Sequence, residues 1–335
     1  MNIHLAPMEG VIDESMRALL TGVGGYSHCV TEFIRVTDRA LPARVFYRYC
    51  PELMRGGRTA AGTPVVVQLL GGNAQMMAEN GERAASLGAL GIDINFGCPS
   101  RFVNRNEGGA VLLKEPDRVY EITRAVRAAV PAGIPVSAKI RLGYDNTDLA
   151  LENACAVQNA GACYITVHAR TKADGYRRPA RWEWLARIRD HLTLPMIANG
   201  DINSLEDYRR CVQITGCRNV MLGRGALACP DLARQIGSTR HANLTTAASW
   251  EEILTLLVDF TQQLKQSDTS GGRYIVARIK QWLIFLKRHY IEAQNCFDEV
   301  RTIEASDELV TRLQRIANTR LFRPARSTAA EYIGA

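Results

Sequence analysis

The sequence lacks the features that mark membrane-spanning, secreted and repetitive proteins. No apolar run approaches the roughly 20 residues that a membrane-spanning helix needs, and no internal repeat or low-complexity segment is present. The first residues, MNIHLAPMEG, hold no basic segment followed by a long apolar stretch, so we expect no secretory signal. These absences predict a cytoplasmic protein that makes no contact with a membrane.

A cysteine pattern typical of zinc sites is also missing. The 9 cysteines include no C-x-x-C pair and no zinc-like spacing, so we predict no bound metal. Such a set suits a reducing compartment, where most cysteines act as small buried hydrophobic residues. Cys98 is different, because it follows a strand-like segment in the turn of GIDINFGCPS (91–100).

The composition is that of a globular protein with a sizeable core. Hydrophobic residues make up 47% of the chain and charged residues 22%. The net charge of +7 is compatible with a polyanionic partner, but it is equally compatible with solubility alone. The location of the basic residues therefore matters more than their number.

Short apolar segments alternate with amphipathic helical stretches over the first part of the chain. This alternation predicts a (β/α)8 TIM barrel over residues 1–240, with an open doubly wound sheet as the alternative. The predicted strands are 4–6, 29–33, 65–69, 92–95, 136–141, 164–168, 196–198 and 220–223.

The character of the sequence changes after residue 240. A polar linker leads to Ser249 and Glu252, which form a capping box at the start of a helix. The pattern that follows is helical to about residue 317. We therefore predict an all-helical domain over residues 241–318 and a loose C-terminal tail over residues 319–335.

Polar residues of several types follow the predicted strands. In a parallel barrel these positions share one rim, where active sites lie. Singly, Gln68 or His168 is more typical of a structural residue, but the set as a whole indicates a site. It comprises APMEG (6–10), Gln68, Asn95, Cys98, Lys139, Arg141, VHART (167–171), ANGDI (198–202) and LGRGAL (222–227).

Two glycine-bearing turns suggest a phosphate site. ANGDI (198–202) and LGRGAL (222–227) each lead into a helix, and Arg224 supplies a cation, although an ordinary tight turn is the alternative. Lys139 would stabilise negative charge on a ring that gains electrons, and His168 would hydrogen-bond the same ring. A flat ring with a phosphate tail is the outline of FMN.

These segments resemble the tRNA-dihydrouridine synthase family over roughly residues 3–300. TEFIRV (31–36), YCPEL (49–53) and ARIKQWL (277–283) are most similar to the bacterial branch that modifies uridine 16. Ala169 and the charged loop RFVNRNEGGA (101–110) depart from the usual family pattern. The principal matches are LAPMEG (5–10), VQLLG (67–71), NFGCPS (95–100), GGAVLLKEP (108–116), AKIRLG (138–143), VHARTK (167–172), IANGDI (197–202) and LGRGAL (222–227).

The resemblance implies an enzyme that reduces the C5=C6 bond of a tRNA uridine, with FMN as cofactor and NADPH as reductant. Cys98 would donate the proton to C5 while hydride from N5 of FMN reaches C6, and Asn95 would position the uracil. The base would have to be extruded from the folded RNA. The FMN-binding residues implied are Pro7, Met8, Glu9, Gln68, Lys139, His168, Asn199, Gly200, Asp201, Gly223 and Arg224.

Basic residues predict where tRNA binds. Residues 273–289 contain no Asp or Glu, and Lys280 and Lys287 lie on one helical face, although a solvated face is the alternative interpretation. We expect a monomer without an obligate protein partner. The tRNA contacts predicted besides Asn95 are Arg35, Arg141, Arg273, Arg278 and Lys280.

Two other functions remain open from the sequence. The first is an FMN barrel oxidoreductase that acts on a free pyrimidine or a dihydroorotate-like molecule, which would not need the basic helical segment. The second is an RNA-binding protein that remodels tRNA and whose flavin site is vestigial. The complete set of rim residues argues against the second.

Overall fold

The computed structural model describes residues 1–177, 179–239, 245–267 and 272–321. The chain divides into two compact units, Met1–Thr246 and Ala247–Ala335. The boundary predicted between residues 240 and 241 falls outside the described residues, as does the predicted tail from residue 322 onward.

The first unit is a closed parallel barrel. The strand order is β2-β1-β9-β8-β7-β6-β5-β4-β3, and a further pairing of β2 with β4 closes the ring. Every pairing between these strands is parallel, which confirms the predicted (β/α)8 barrel. The strands are β1 Ile3–Leu5, β2 His28–Val30, β3 Ile34–Arg35, β4 Val65–Leu70, β5 Ile92–Phe96, β6 Val136–Arg141, β7 Tyr164–His168, β8 Met196–Asn199 and β9 Val220–Leu222.

One strand prediction was wrong in detail. Residues 29–33 were predicted as one strand, whereas the structure has β2 and β3 separated by an irregular segment. Val30 pairs with Val66 and Ile34 pairs with Leu69, so this side carries one residue more than β4. An extra residue of this kind bulges out of the ladder, as in a β-bulge.

Helices and helical turns connect the strands of the barrel. Several begin at side-chain caps: Asp13 and Asn73 each accept the N–H three residues on, at 2.9 and 3.0 Å. The helices are α1 Glu14–Val23, α2 Ala43–Tyr49, α3 Ala74–Ser86, α4 Arg101–Arg105, α5 Pro116–Ala129, α6 Ala150–Asn159, α7 Trp182–His191, α8 Leu205–Thr215, α9 Arg224–Ala228 and α10 Leu232–Ser238. Two 3₁₀ segments, Pro51–Arg55 and Gly109–Lys114, complete the unit.

The second unit is helical in its described residues. Its helices are α11 Trp250–Ser267, α12 Arg273–Leu286, α13 Glu292–Val300 and α14 Ser306–Leu321. The predicted capping box is confirmed, since Ser249 N–H donates to Glu252 Oε2 at 2.7 Å and Glu252 N–H donates to Ser249 Oγ at 3.3 Å. Across the described part of the whole chain, no helix has the length and apolarity to cross a membrane.

A buried ion pair joins α1 to the 3₁₀ segment Pro51–Arg55. Arg17 donates from Nε and Nη2 to the two carboxylate oxygens of Glu52, both at 2.8 Å, and neither side chain is exposed beyond 1%. The guanidinium also donates to the carbonyls of Ile12 and Tyr49. A pair buried this completely is costly to break on one side only.

We expect Glu52→Ala to lower the free energy of unfolding by about 3–5 kcal/mol, because Arg17 is then left charged and buried without its partner. The double variant Arg17→Met/Glu52→Leu fills the same space with apolar atoms, and its free energy of unfolding should be close to that of the parent protein. Urea denaturation followed by circular dichroism measures both. Equal losses in the single and double variants would contradict this account.

Candidate active site

The carboxyl ends of β6, β7 and β8 bring three of the predicted site residues together. Lys139 Nζ donates to Asn199 Oδ1 at 3.2 Å, and Asn199 Nδ2 donates to the carbonyl of Met221 at 2.8 Å. His168 lies beside Asn199 in the ladder, because those two residues are paired across β7 and β8. The amide of Asn199 thus fixes the direction of the Lys139 side chain.

Burial and positive neighbours govern the protonation of this rim. Burial and, to a smaller extent, the nearby charge of Arg141 together lower the pKa of Lys139 to about 8. Burial also lowers the pKa of His168 well below its ordinary value, and Arg141, Lys139, Arg170 and Arg224 add to the effect. His168 is therefore a neutral imidazole among cations, and the rim favours an anionic ligand.

The turn after β8 is held in an unusual backbone conformation. Gly200 has φ 119° and Asp201 has φ 54°, and residues other than glycine rarely adopt such positive values. A Cβ on Gly200 would lie 3.1 Å from the His168 ring, so the backbone of the turn lies close to that imidazole. The Asp201 carboxylate is paired with the buried guanidinium of Arg170 and lies 3.6 Å from Arg224 Nη2.

The turn after β9 faces the loop that follows β1. A Cβ built on Gly223 would meet only Met8 Sδ at 3.6 Å and Ala6 Cβ at 3.7 Å. Pro7 and Met8 are half-buried, whereas Glu9 is exposed. These two segments therefore stand side by side, with room above Gly223.

Cys98 is seated by the side chain of Asn95. Asn95 Oδ1 accepts the backbone N–H groups of Gly97 at 2.8 Å and Cys98 at 2.9 Å, which tightens the turn after β5. Burial raises the pKa of the Cys98 thiol, and this effect exceeds the lowering by a backbone hydrogen bond from Ser100 and by the charges of Arg141 and Lys139. The thiol is thus kept protonated at neutral pH.

A 3₁₀ segment closes over the cysteine from the other side. The carbonyl of Cys98 accepts the N–H of Ala110 at 3.1 Å and Asn104 Nδ2 at 3.0 Å. Gly109 has φ 69°, and a Cβ there would meet the Cys98 carbonyl oxygen at 2.9 Å. The glycine pair at 108 and 109 thus allows Gly109–Lys114 to pack directly against Cys98.

Gln68 lies beneath the rim and not on it. The side chain is 0% exposed, with Nε2 donating to Asp93 Oδ2 at 2.7 Å and Oε1 accepting from Asn95 Nδ2 at 2.8 Å. Its predicted contact with FMN stays a prediction, and the structure shows its hydrogen bonds to the side chains of β5.

Arg141 has a different setting from the one its charge suggested. It is buried, and it donates from Nε to the carbonyl of Gly97 at 2.7 Å and from Nη1 to those of Thr171 and Gly175 at 3.1 and 3.0 Å. It therefore ties the cysteine turn to the loop after β7. An Arg at a strand end signals a cation, but the sequence does not reveal its partners.

Two aromatic residues of the rim were missed. Tyr176 is 57% exposed, and its ring lies 5.4 Å from the guanidinium of Arg141 and 5.1 Å from that of Arg224. Phe102 is 65% exposed, and the guanidinium of Arg35 lies over its ring at 4.4 Å. Both residues are in irregular or very short elements, where apolar periodicity gives no signal.

The predicted basic face of α12 needs correction. Arg278 is buried and bonded to Gln281, and Lys280 donates to the carbonyls of Arg301 at 2.8 Å and Ile303 at 2.7 Å. Both cations thus hold their own helical unit together. Arg273 and Lys287 are exposed as predicted. The buried side of the helix, which includes Trp282, is also as predicted.

In the part of the chain that the structure describes, no group of 3 or more His, Cys, Asp or Glu side chains is arranged to hold a metal ion.

Comparisons with known proteins agree with this rim. The profile of a family described as Dihydrouridine synthase (Dus) matches residues 4–319. The tRNA-dihydrouridine(16) synthase of Shewanella oneidensis is 48% identical over 317 residues, which cover 94% of this chain and 98% of that protein. The protein of the same name from Aquipseudomonas alcaligenes is 50% identical over 301 residues, covering 90% and 95%.

Solved structures support the fold alone. A 2-naphthoyl-CoA reductase complex matches with a TM-score of 0.54 at 13% identity, covering 71% of this chain and 50% of that one. The family profile over nearly the whole chain, and relatives about half identical along almost their full length, show that this protein belongs to the dihydrouridine synthase family and is an oxidoreductase.

Proposed function

We propose that this enzyme reduces a uridine of tRNA, most specifically uridine 16, to dihydrouridine, with FMN as cofactor and NADPH as reductant. The observation that carries the proposal is a protonated Cys98 held in a fixed turn on the same rim as Lys139 and the two glycine turns. The names of the relatives support the position in tRNA.

The residues of the rim fit FMN. Lys139 and Arg224 are cationic, Asn199 Oδ1 already accepts from Lys139, and the Asp201 carboxylate is paired with Arg170. The donor-rich surface that remains suits the carbonyl oxygens of a flavin ring and a phosphate. The room above Gly223 would be taken by any larger side chain, which explains a glycine that packing alone does not require.

FMN, when bound, supplies the hydride that goes to C6 of the uracil. Lys139 holds its ammonium in place through Asn199 and offers positive charge to an electron-rich ring. Neutral His168 accepts or donates a hydrogen bond without adding further charge. Buried Arg170 and half-buried Arg224 neutralise Asp201, so that the carboxylate does not repel an anion.

Cys98 acts as the general acid. Its thiol must deliver a proton to C5, which requires a group that is protonated before the reaction. Burial keeps it protonated, and the hydrogen bonds that Asn95 Oδ1 accepts from the backbone of the turn fix the position of Sγ. A depressed thiol pKa would serve a nucleophile, but here it would remove the proton that is needed.

We expect Cys98→Ala to lower kcat by about 100-fold or more while tRNA affinity and bound FMN stay unchanged, because a positioned general acid contributes roughly that factor. Single-turnover formation of dihydrouridine, measured by mass spectrometry of the tRNA, tests this. Undiminished turnover in Cys98→Ala would remove the acid assignment.

The low pKa of Lys139 predicts how FMN affinity depends on pH. The ammonium is lost as the pH rises through about 8. For the protein stripped of FMN, the dissociation constant should therefore rise by up to about tenfold for each pH unit above that value. In Lys139→Arg the cation persists, so its profile should stay flat there. Quenching of flavin fluorescence measures both, and parallel profiles would contradict the prediction.

We assign the contact with tRNA to the barrel rim and to the helical unit together. Phe102 and Arg35 support the rim part, because an exposed aromatic ring beside a guanidinium offers a stacking surface for a nucleobase. Phe102 lies on α4, which begins three residues after Cys98. A base next to the target uridine therefore falls within reach. In the helical unit, exposed Arg273 and Lys287 would meet phosphates.

We expect Phe102→Ala to weaken tRNA binding by about 5- to 150-fold, since stacking on an aromatic side chain contributes roughly 1–3 kcal/mol per base. Met54 is a matched control at 66% exposure, against 65% for Phe102, and it lies in the segment leading to the amino end of β4. Met54→Ala should bind tRNA like the parent. Filter binding at several salt concentrations measures both, and equal affinities in the two variants would contradict a stacking role.

A further inference from the structure

An unbroken chain of hydrogen bonds leads from the inside of the barrel to Cys98. Gln68 Nε2 donates to Asp93 Oδ2 at 2.7 Å, and Asn95 Nδ2 donates to Gln68 Oε1 at 2.8 Å. Asn95 Oδ1 accepts the N–H groups of Gly97 and Cys98. Asp93, Gln68 and Asn95 are all buried, so water does not compete for these bonds.

The two ends of this chain allow only one orientation of the amides between them. At the rim, two backbone N–H groups require an oxygen from Asn95, so its Nδ2 must face Gln68. The amide of Gln68 must then present its oxygen to Asn95 and its nitrogen to Asp93. The ionised carboxylate of Asp93 accepts a hydrogen bond from that nitrogen and has no hydrogen of its own to donate. Burial raises the pKa of Asp93, whereas the hydrogen bonds from Ser137 and Gln68 and the charge of Lys139 lower it and favour the ionised form. The cysteine turn at one end and Asp93 at the other therefore require the same orientation of the Asn95 and Gln68 amides.

We propose that Asp93 is a positioning residue that fixes the amide of Gln68, and through it the amide of Asn95 and the seat of Cys98. This inference rests on the proposed role of Cys98 as the acid. Asp93 is itself fixed, because Ser137 Oγ donates to its other oxygen at 2.6 Å. Its charge is balanced in part by Lys139, which lies on the neighbouring strand.

The orientation of the Asn95 amide also affects which pyrimidine base the site accepts. With its oxygen turned to the cysteine turn, Asn95 keeps one further Nδ2 hydrogen that no group among the described residues accepts. That hydrogen suits a carbonyl oxygen, the group that uracil carries at C4 and that cytosine replaces with an amine. An inverted amide would present its oxygen instead and would repel the uracil carbonyl. Asp93 thereby favours uracil over cytosine.

The test compares variants by two readouts, on the full-length protein with its FMN. The first is the rate at which iodoacetamide alkylates Cys98, measured by peptide mass spectrometry. This rate depends on the position of the thiol and does not require turnover. The second is the pair kcat and KM for tRNA. Thr166→Val is the matched control, since it also removes a buried polar group of the barrel, and no described residue bonds its hydroxyl.

In Asp93→Leu, we expect kcat to fall by about 10- to 100-fold with KM for tRNA unchanged, because a small displacement of reacting groups has that effect. The alkylation rate of Cys98 should change by at least about threefold as the turn loosens. Asp93→Asn, whose oxygen still accepts from Gln68, should recover most of both values. Thr166→Val should match the parent protein.

If Asp93→Leu does not fold, an exchange of groups keeps the proposal testable. Gln68→Glu alone sets two carboxylates against each other and should disturb Cys98 alkylation. In the double variant Gln68→Glu/Asp93→Asn, the new amide at position 93 donates to one carboxylate oxygen at position 68, and the other oxygen still accepts from Asn95. The alkylation rate of Cys98 in the double variant should therefore return toward that of the parent protein.

Two outcomes overturn the proposal: parental kcat and alkylation in Asp93→Leu, or a double variant no better than Gln68→Glu. These are distinct from a failure of the proposed function. If Cys98→Ala stays fully active while Asp93→Leu alters Cys98 alkylation, the acid role fails and the positioning of the turn still stands.

Discussion

Closure of the parallel barrel is the constraint on which the site depends. Because β2 pairs with β4 and every ladder is parallel, all the carboxyl ends face one rim. Inward side chains repeat every second residue, so β6 directs Lys139 and Arg141 to that rim. The ladders then set Arg141 beside His168, and His168 beside Asn199. Segments far apart in the sequence thus become neighbours without any loop having to fold back over the sheet.

Much of this architecture could be predicted from the sequence. The limits of β6 and β7 agree with the predicted ones, because both segments are rich in β-branched and other apolar residues, β6 alternates them with polar ones, and turn residues lie on either side. The start of α11 was signalled by its capping box. The break between β2 and β3 was not predicted, because it depends on the register against β4. The pattern of apolar residues in one segment indicates which residues are buried, whereas the register depends on how two strands pair.

The chemistry of the rim was predicted less evenly. Residue type together with position at the end of a predicted strand was enough to identify Cys98, Lys139 and His168 as candidates. For Arg141, Arg278 and Lys280, the sequence showed a charge but not the backbone carbonyls or side chains that it meets. Those partners come from distant segments, so only the folded chain reveals that these cations act within the protein.

The inside of the barrel changes character within two residues along a strand. On β4 the inward side chain changes from Val66 to Gln68, and on β8 from Ile197 to Asn199; Val66 and Ile197 belong to one apolar cluster. That cluster supplies hydrophobic stabilisation, whereas the polar groups beyond it cost free energy unless they are bonded.

For the amides, full bonding and fixed orientation are the same condition. Asn95 and Gln68 escape the cost of burial only when each oxygen meets a donor and each nitrogen meets an acceptor. A rotated amide would leave two buried groups opposed and unbonded, at roughly 1–3 kcal/mol each. The barrel therefore needs no separate device to orient the cysteine turn, because the stability of its polar interior already selects the orientation that the chemistry requires.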